Sequence, residues 1–140
     1  MSDVTFEDYS MEVKTAIANR IDAVLEECAG ELESQTKRNS RVDTGKTKNS
    51  FRHKVIGSVL AEKYEAHIGS SDINAIYEEF GTGEFALHGD GRKGGWSYQD
   101  DKWGDWHRTK GKAPSRAFYH AYTALKPKII NRIQKSLKGL

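Results

Sequence analysis

The strongest constraint on this chain is a long amphipathic segment near its start. Across residues 6–35, Val13, Ile17, Ile21, Val24, Cys28 and Leu32 recur every three or four positions, which places them on one stripe of an α-helix. Thr5 is positioned to cap the first turn, with Asp8 three residues later. Acids near the start suit the positive end of the helix dipole. At ~1.5 Å per residue the helix would be about 45 Å long. A domain of 140 residues does not need a rod of that length. Part of it is therefore expected to project or to pack on a neighbour.

The formal net charge of +2 conceals a segregation. Residues 1–35 carry nine acids against Lys14 and Arg20, whereas residues 107–140 carry nine bases and no acid. Two arrangements account for this equally well. The two segments lie side by side within one molecule, or opposite faces meet head to tail between copies. A basic face for nucleic acid is a weaker third reading, because a dedicated binder carries a larger excess of bases.

An apolar fraction of 36% with 30% charged residues points to a small core under much polar surface. The lone Cys28 permits no disulfide within the chain, which fits a reducing compartment. No apolar run reaches the ~18 residues of a membrane span, and the start MSDVTFEDYS does not read as a signal peptide.

Beyond the helix, residues 36–50 are basic and polar and read as a connector. Phe51, His53 and Val55 alternate with Arg52, Lys54 and Ile56, and Tyr64, Ala66 and Ile68 alternate with Glu65 and His67, the period of a two-stranded hairpin. Residues 72–80 suggest a short helix capped by Asp72. Residues 81–95 hold six of the 13 glycines and are expected to form a flexible loop. A second, aromatic hairpin follows, with Trp96 and Tyr98 on one face of its first strand. In residues 115–138, Phe118, Tyr122, Leu125, Ile129, Ile133 and Leu137 make a helical stripe that Ser115 can cap and that Pro127 would kink or split. The expected fold is one α+β domain: an antiparallel sheet packed by a long N-terminal helix and a C-terminal helix.

Several catalytic motifs fail on their own requirements. Gly45-Lys46-Thr47 ends a phosphate-binding loop, but the first glycine of that motif would fall at residue 40, which is Ser. Asp43-Thr44-Gly45 matches the tripeptide around an aspartic protease carboxylate. Here it is surrounded by Lys37, Arg38, Arg41, Lys46 and Lys48, which would hold Asp43 ionised. The better account is a turn, with Asp43 as a cap and Gly45 in a backbone conformation other residues resist. The five histidines and one cysteine form no metal-ligand pattern. No cofactor, metal or catalytic set is expected. The aromatics say more. Trp96, Tyr98, Trp103 and Trp106 lie within eleven residues, close to Arg92 and Lys93. Such a cluster suits a protein interface or, less well, single-stranded nucleic acid.

These motifs occur in an order that resembles the small tail-component proteins of tailed phages, the gene-product-ten-like family named after the Hong Kong lambdoid phage. The match begins with the long helix and continues through Asp43-Thr44-Gly45 and Asn49-Ser50, then Ala75 with Glu79-Phe80-Gly81-Thr82-Gly83. It goes on through Gly94-Gly95-Trp96 and Tyr98, Trp106-His107 and Thr109-Lys110-Gly111, and ends with Pro114 and Phe118. It covers about residues 6–138. The chain departs from the pattern at Thr47-Lys48 and at Pro114-Ser115-Arg116-Ala117-Phe118. The resemblance implies a structural virion protein and no enzyme. Such a protein forms a homo-oligomeric ring at the neck or head-proximal end of the tail, completes the tail and helps the head to join. Its partners would be other copies of itself and neighbouring neck and tail-tube proteins, with DNA passing through the ring and no membrane. It would assemble in the host cytoplasm. Arg92, Lys93, Trp96, Tyr98, Trp103, Trp106 and Arg116 are the expected assembly residues.

Overall fold

In the computed structural model, which describes residues 7–41, 45–100 and 102–138, helices are combined with two small antiparallel sheets. The order is α1 (Ser10–Asn39), α2 (Lys46–Asn49), β1 (Phe51–Ser58), β2 (Lys63–Ser70), α3 (Asn74–Phe80), a 3-10 turn (Gly83–Phe85), β3 (Trp96–Gln99), β4 (Trp106–Thr109) and α4 (Ala117–Lys138). The expected α+β architecture holds, with one refinement. The strands do not share a sheet: β1 pairs only with β2, and β3 only with β4.

The long helix is present but shifted four residues along the chain from the expected span. Thr5 lies outside the described residues. Asp8 does serve the first turn, its carboxylate accepting from the Ser10 N–H at 2.9 Å. The connector expected from residue 36 begins only after Asn39, and part of it forms the single turn α2.

α1 is the centre of the molecule, packing on the β1–β2 hairpin and on α4. The hairpin register places Phe51, His53, Val55 and Gly57 opposite Ser70, Ile68, Ala66 and Tyr64. Period-two geometry gives these residues one common face. That face meets α1: Gly57 approaches Asp22, and Gly30 approaches the His53 ring. α4 runs antiparallel to α1 on another side. Asn39 donates to the Ala117 carbonyl at one end, and Arg20 to the Ser136 carbonyl at the other. α4 passes through Pro127 as one continuous helix.

The segregated charges meet at this seam. Glu31 receives Lys128 Nζ at 3.0 Å and also pairs with Arg132, whose guanidinium lies 3.3 Å from Glu27. Lys128 first, then Arg132, holds the Glu31 carboxyl below its ordinary pKa. The acidic and basic segments therefore neutralise each other, at least here, within one molecule.

The core is small-grained. Ala18, Val24, Cys28, Ala29 and Leu32 from α1 are buried with Phe51, Ala75, Ala117 and Ala121. Alanines on facing helices allow close backbone approach but bring little apolar area. The largest fully buried side chain is Thr36, whose hydroxyl is satisfied by the Leu32 carbonyl at 2.8 Å. Burial pushes the Cys28 thiol pKa up, leaving a protonated apolar side chain.

His53 reaches from β1 across to α1, with Nε2 2.5 Å from Glu26 and Nδ1 3.4 Å from Glu33, the second contact lacking hydrogen-bond alignment. The Glu26 hydrogen bond, reinforced by both carboxylate charges, raises the His53 pKa above its ordinary value. A histidine whose pKa is higher in the folded than in the unfolded chain adds stability below the unfolded value, and this is lost as pH rises through the folded value. Wild-type protein is therefore expected to lose stability as pH rises, over a window that opens near the ordinary histidine value of ~6.5 and closes above the raised value in the folded chain. His53→Gln should flatten that loss. Urea midpoints measured across the window check both; parallel pH profiles would remove His53 as the cause.

Candidate assembly interface

The short helix α3 is built inside out. Its spacing of Ile73, Ile76, Tyr77 and Phe80 is that of a buried helical face. These four side chains are nevertheless 63%, 58%, 47% and 41% exposed. The face turned inward carries Ala75, which is buried, and the acids Glu78 and Glu79.

Each inward acid has a defined role. Glu78 pairs with Lys112, and its second oxygen faces Arg41 Nε at 3.7 Å without a hydrogen bond. Glu79 caps α4: its two carboxylate oxygens accept from the N–H groups of Phe118 and Tyr119, each at 3.0 Å. These are first-turn donors that a local cap residue normally satisfies, and a negative charge there also suits the helix dipole. The first-turn donors thus go to Glu79 and not to Ser115, whose own N–H donates to the Glu78 carbonyl at 2.7 Å. The N-cap position of α3 is Ile73 and not Asp72 as expected, but Asp72, one residue earlier, accepts from Asn74 N–H at 3.0 Å and from the Thr47 hydroxyl at 2.9 Å and so still serves the start of the helix. The Asn74 bond, then Thr47, lowers the Asp72 pKa.

The glycine-rich stretch after α3 is more ordered in its first half than expected. Thr82 N–H donates to the Lys112 carbonyl while its hydroxyl accepts from Lys112 N–H, and Glu84 N–H donates to the Lys110 carbonyl. This doubled ladder needs bare backbone on both sides. Gly83 and Gly111 both have positive φ, and a Cβ on either would collide with the other segment. The Glu79-Phe80-Gly81-Thr82-Gly83 element is therefore a joint that fastens α3 to the residues leading into α4.

The expected assembly residues do not form one patch. Trp96 and Tyr98 share a face of β3–β4. Arg92 sits 5.6 Å over the Trp96 ring, and Tyr98 packs against His107 at 5.4 Å. Trp106 pairs with Gln99 in the register and so lies on the opposite face, 70% exposed. Trp103 lies in the connecting turn with Lys102 over its ring. Lys93 is exposed. Arg116 is instead committed within the fold. Its backbone adopts φ 58°, its guanidinium lies 3.8 Å from Glu79, and it stacks over Tyr119 and Phe80. Gly45 has φ 82°, as its proposed turn requires. Asp43 and Thr44 lie outside the described residues.

Ile76, Tyr77 and Phe80 of α3 and the Arg92–Trp96 pair line one groove of about 560 Å³, together with Ala86, His88 and Asp90. Ile73, Ile76 and Tyr77 were not among the residues expected from sequence, although their helical spacing marks an apolar face. The chain exposes 10142 Å², against about 7,300 Å² for a compact monomer of 15.8 kDa. Among the described residues no three His, Cys, Asp or Glu side chains gather as a metal site, and no helix is long and apolar enough to cross a membrane.

Comparison with protein-family models, with curated proteins and with solved structures finds no match to this chain.

Two substitutions separate the joint from the surface. Glu79→Ala should cost about 1–2 kcal/mol, the range for a lost N-cap, read from urea unfolding. Trp106→Ala should change stability by less than about 0.5 kcal/mol, as at other exposed sites, read from the same urea unfolding. An unfolded Trp106 variant would assign that ring to the core instead.

Proposed function

We propose that this chain is a structural component of a tailed-phage particle, a neck or tail-completion protein acting as a homo-oligomeric ring. The observation that carries the reading is the inverted helix α3. A domain that turns its acids inward and its Ile73, Ile76, Tyr77 and Phe80 outward is shaped for a second surface. The excess exposed area and the projecting aromatic hairpin support the same conclusion, as do the ordered motifs it has in common with the tail-component family. In this reading the protein has no catalytic centre, and its partners are copies of itself and adjoining neck and tail-tube proteins. DNA passes through the ring without sequence-specific contact. Lys128 and Arg132, engaged by Glu31 and Glu27, take support away from a dedicated nucleic-acid face.

Particles assembled without this chain should accumulate as separate heads and tails. Adding the purified protein should restore joined particles, counted by negative-stain electron microscopy. Heads and tails that join equally well without it would overturn the reading.

A further inference from the structure

The core stripe of α1 continues beyond the elements that cover it. Val24, Cys28 and Leu32 are buried, but Val13, on the same stripe, is 55% exposed, and Tyr9 one turn earlier is 58% exposed. Around these two apolar residues stand Glu7, Asp8 and Glu12. Lys14, the one base nearby, is paired with Glu62 of the β1–β2 turn at 3.1 Å. The start of α1 is thus an exposed helical end with an apolar stripe and an acidic border.

The α3 groove has the opposite character. Its walls are Ile76, Tyr77, Phe80 and Trp96, and Arg92 lies along it with Lys93 next in sequence; Asp90 is the one acid in its lining. The two features sit at opposite ends of one helix. The far end of α1 is bound to the α3–α4 joint through Asn39 to Ala117 and Arg41 to Glu78. Thirty helical residues separate the ends by about 45 Å. The start of α1 therefore cannot enter the groove of its own chain.

We infer that the groove between α3 and Trp96 receives the exposed first turns of α1 from a second copy of this chain, Tyr9 and Val13 entering among Ile76, Tyr77 and Phe80 while the acids meet Arg92 and Lys93. The occupant follows from complementarity. An apolar helical end bordered by three acids matches an apolar groove with Arg92 in its lining and Lys93 beside it in sequence, against the single acid Asp90, and the contact is heterologous when the end and the groove of one copy serve two different neighbours. A heterologous contact propagates from copy to copy and closes into a ring when the rotation permits. Each copy keeps one end and one groove in use.

This deepens the ring reading by naming its contact, and its test needs no particle. Val13→Asp disables the helix end and Ile76→Asp disables the groove; both positions are solvent-exposed in the free chain, and circular dichroism checks the fold of each variant. By light scattering, wild type should exceed twice the 15.8 kDa monomer mass in a concentration-dependent way, because a heterologous contact does not stop at two copies, and each variant alone should stay monomeric. The equimolar mixture should give a species of twice the monomer mass and nothing larger, because it retains one intact end and one intact groove. Tyr9→Asp mixed with Tyr77→Asp should behave identically. A wild type that is monomeric at every concentration or stops at a dimer, variants that associate as wild type does, or a mixture that stays monomeric would each overturn the contact. Failed rescue of head–tail joining alongside a paired mixture would overturn only the particle assignment.

Discussion

The Glu79 carboxylate fixes more of this molecule than any other single group. A helix of 22 residues begins where its first N–H groups find acceptors, and α4 finds them on a residue 38 positions earlier than Ala117. For that carboxylate to reach the start of α4, α3 must turn its Glu78–Glu79 face inward. Helical geometry then turns Ile73, Ile76, Tyr77 and Phe80 outward. The same requirement holds Arg116 in a left-handed backbone conformation, where its guanidinium lies between the Glu79 charge and the rings of Phe80 and Tyr119. The polar joint and the apolar exterior are thus two sides of one helix. Improving one by rotating α3 would destroy the other.

Around that joint the molecule has little hydrophobic reserve. Four of the nine buried core residues named above are alanines drawn from α1 and α4, so these helices bring little apolar area to the core, and the Glu31, Lys128 and Arg132 network and the end ties add to their pairing. The first hairpin adds Phe51 and a histidine held by carboxylates. The second hairpin has both faces in solvent and is anchored mainly through the backbone ladder joining Thr82 and Glu84 to Lys110 and Lys112. A fold of this kind is specified as much by hydrogen bonds and caps as by burial.

Much of this arrangement was legible in the residues. The stripe from Ile17 to Leu32, the alternation in both hairpins, the role of Asp72 at the start of α3 and the backbone freedom needed at Gly45 are local signals, and local signals survive folding. Where the structure departs from expectation, the deciding partner was distant. Nothing near Phe118 announces that its amide will bond to Glu79, so Ser115 looked like the cap. Nothing near Gly83 shows that Lys110 will run alongside it, so the glycines looked like an unanchored loop. The α3 stripe was invisible for a different reason: periodicity identifies an apolar face but not which way it points. Trp96 and Trp106, grouped by proximity in sequence, were separated by strand register.

The packing of α4 along α1 has a mechanical consequence. Two packed helices, tied at both ends by Asn39–Ala117 and Arg20–Ser136, resist bending far better than one helix alone. α1 therefore behaves as a strut whose ends keep a fixed distance and a fixed angle. In an assembly joined through those ends, the tilt from one copy to the next is written into a stiff rod and not into a loop. The number of copies needed to close a circle then becomes a property of geometry, largely independent of how tightly each contact binds.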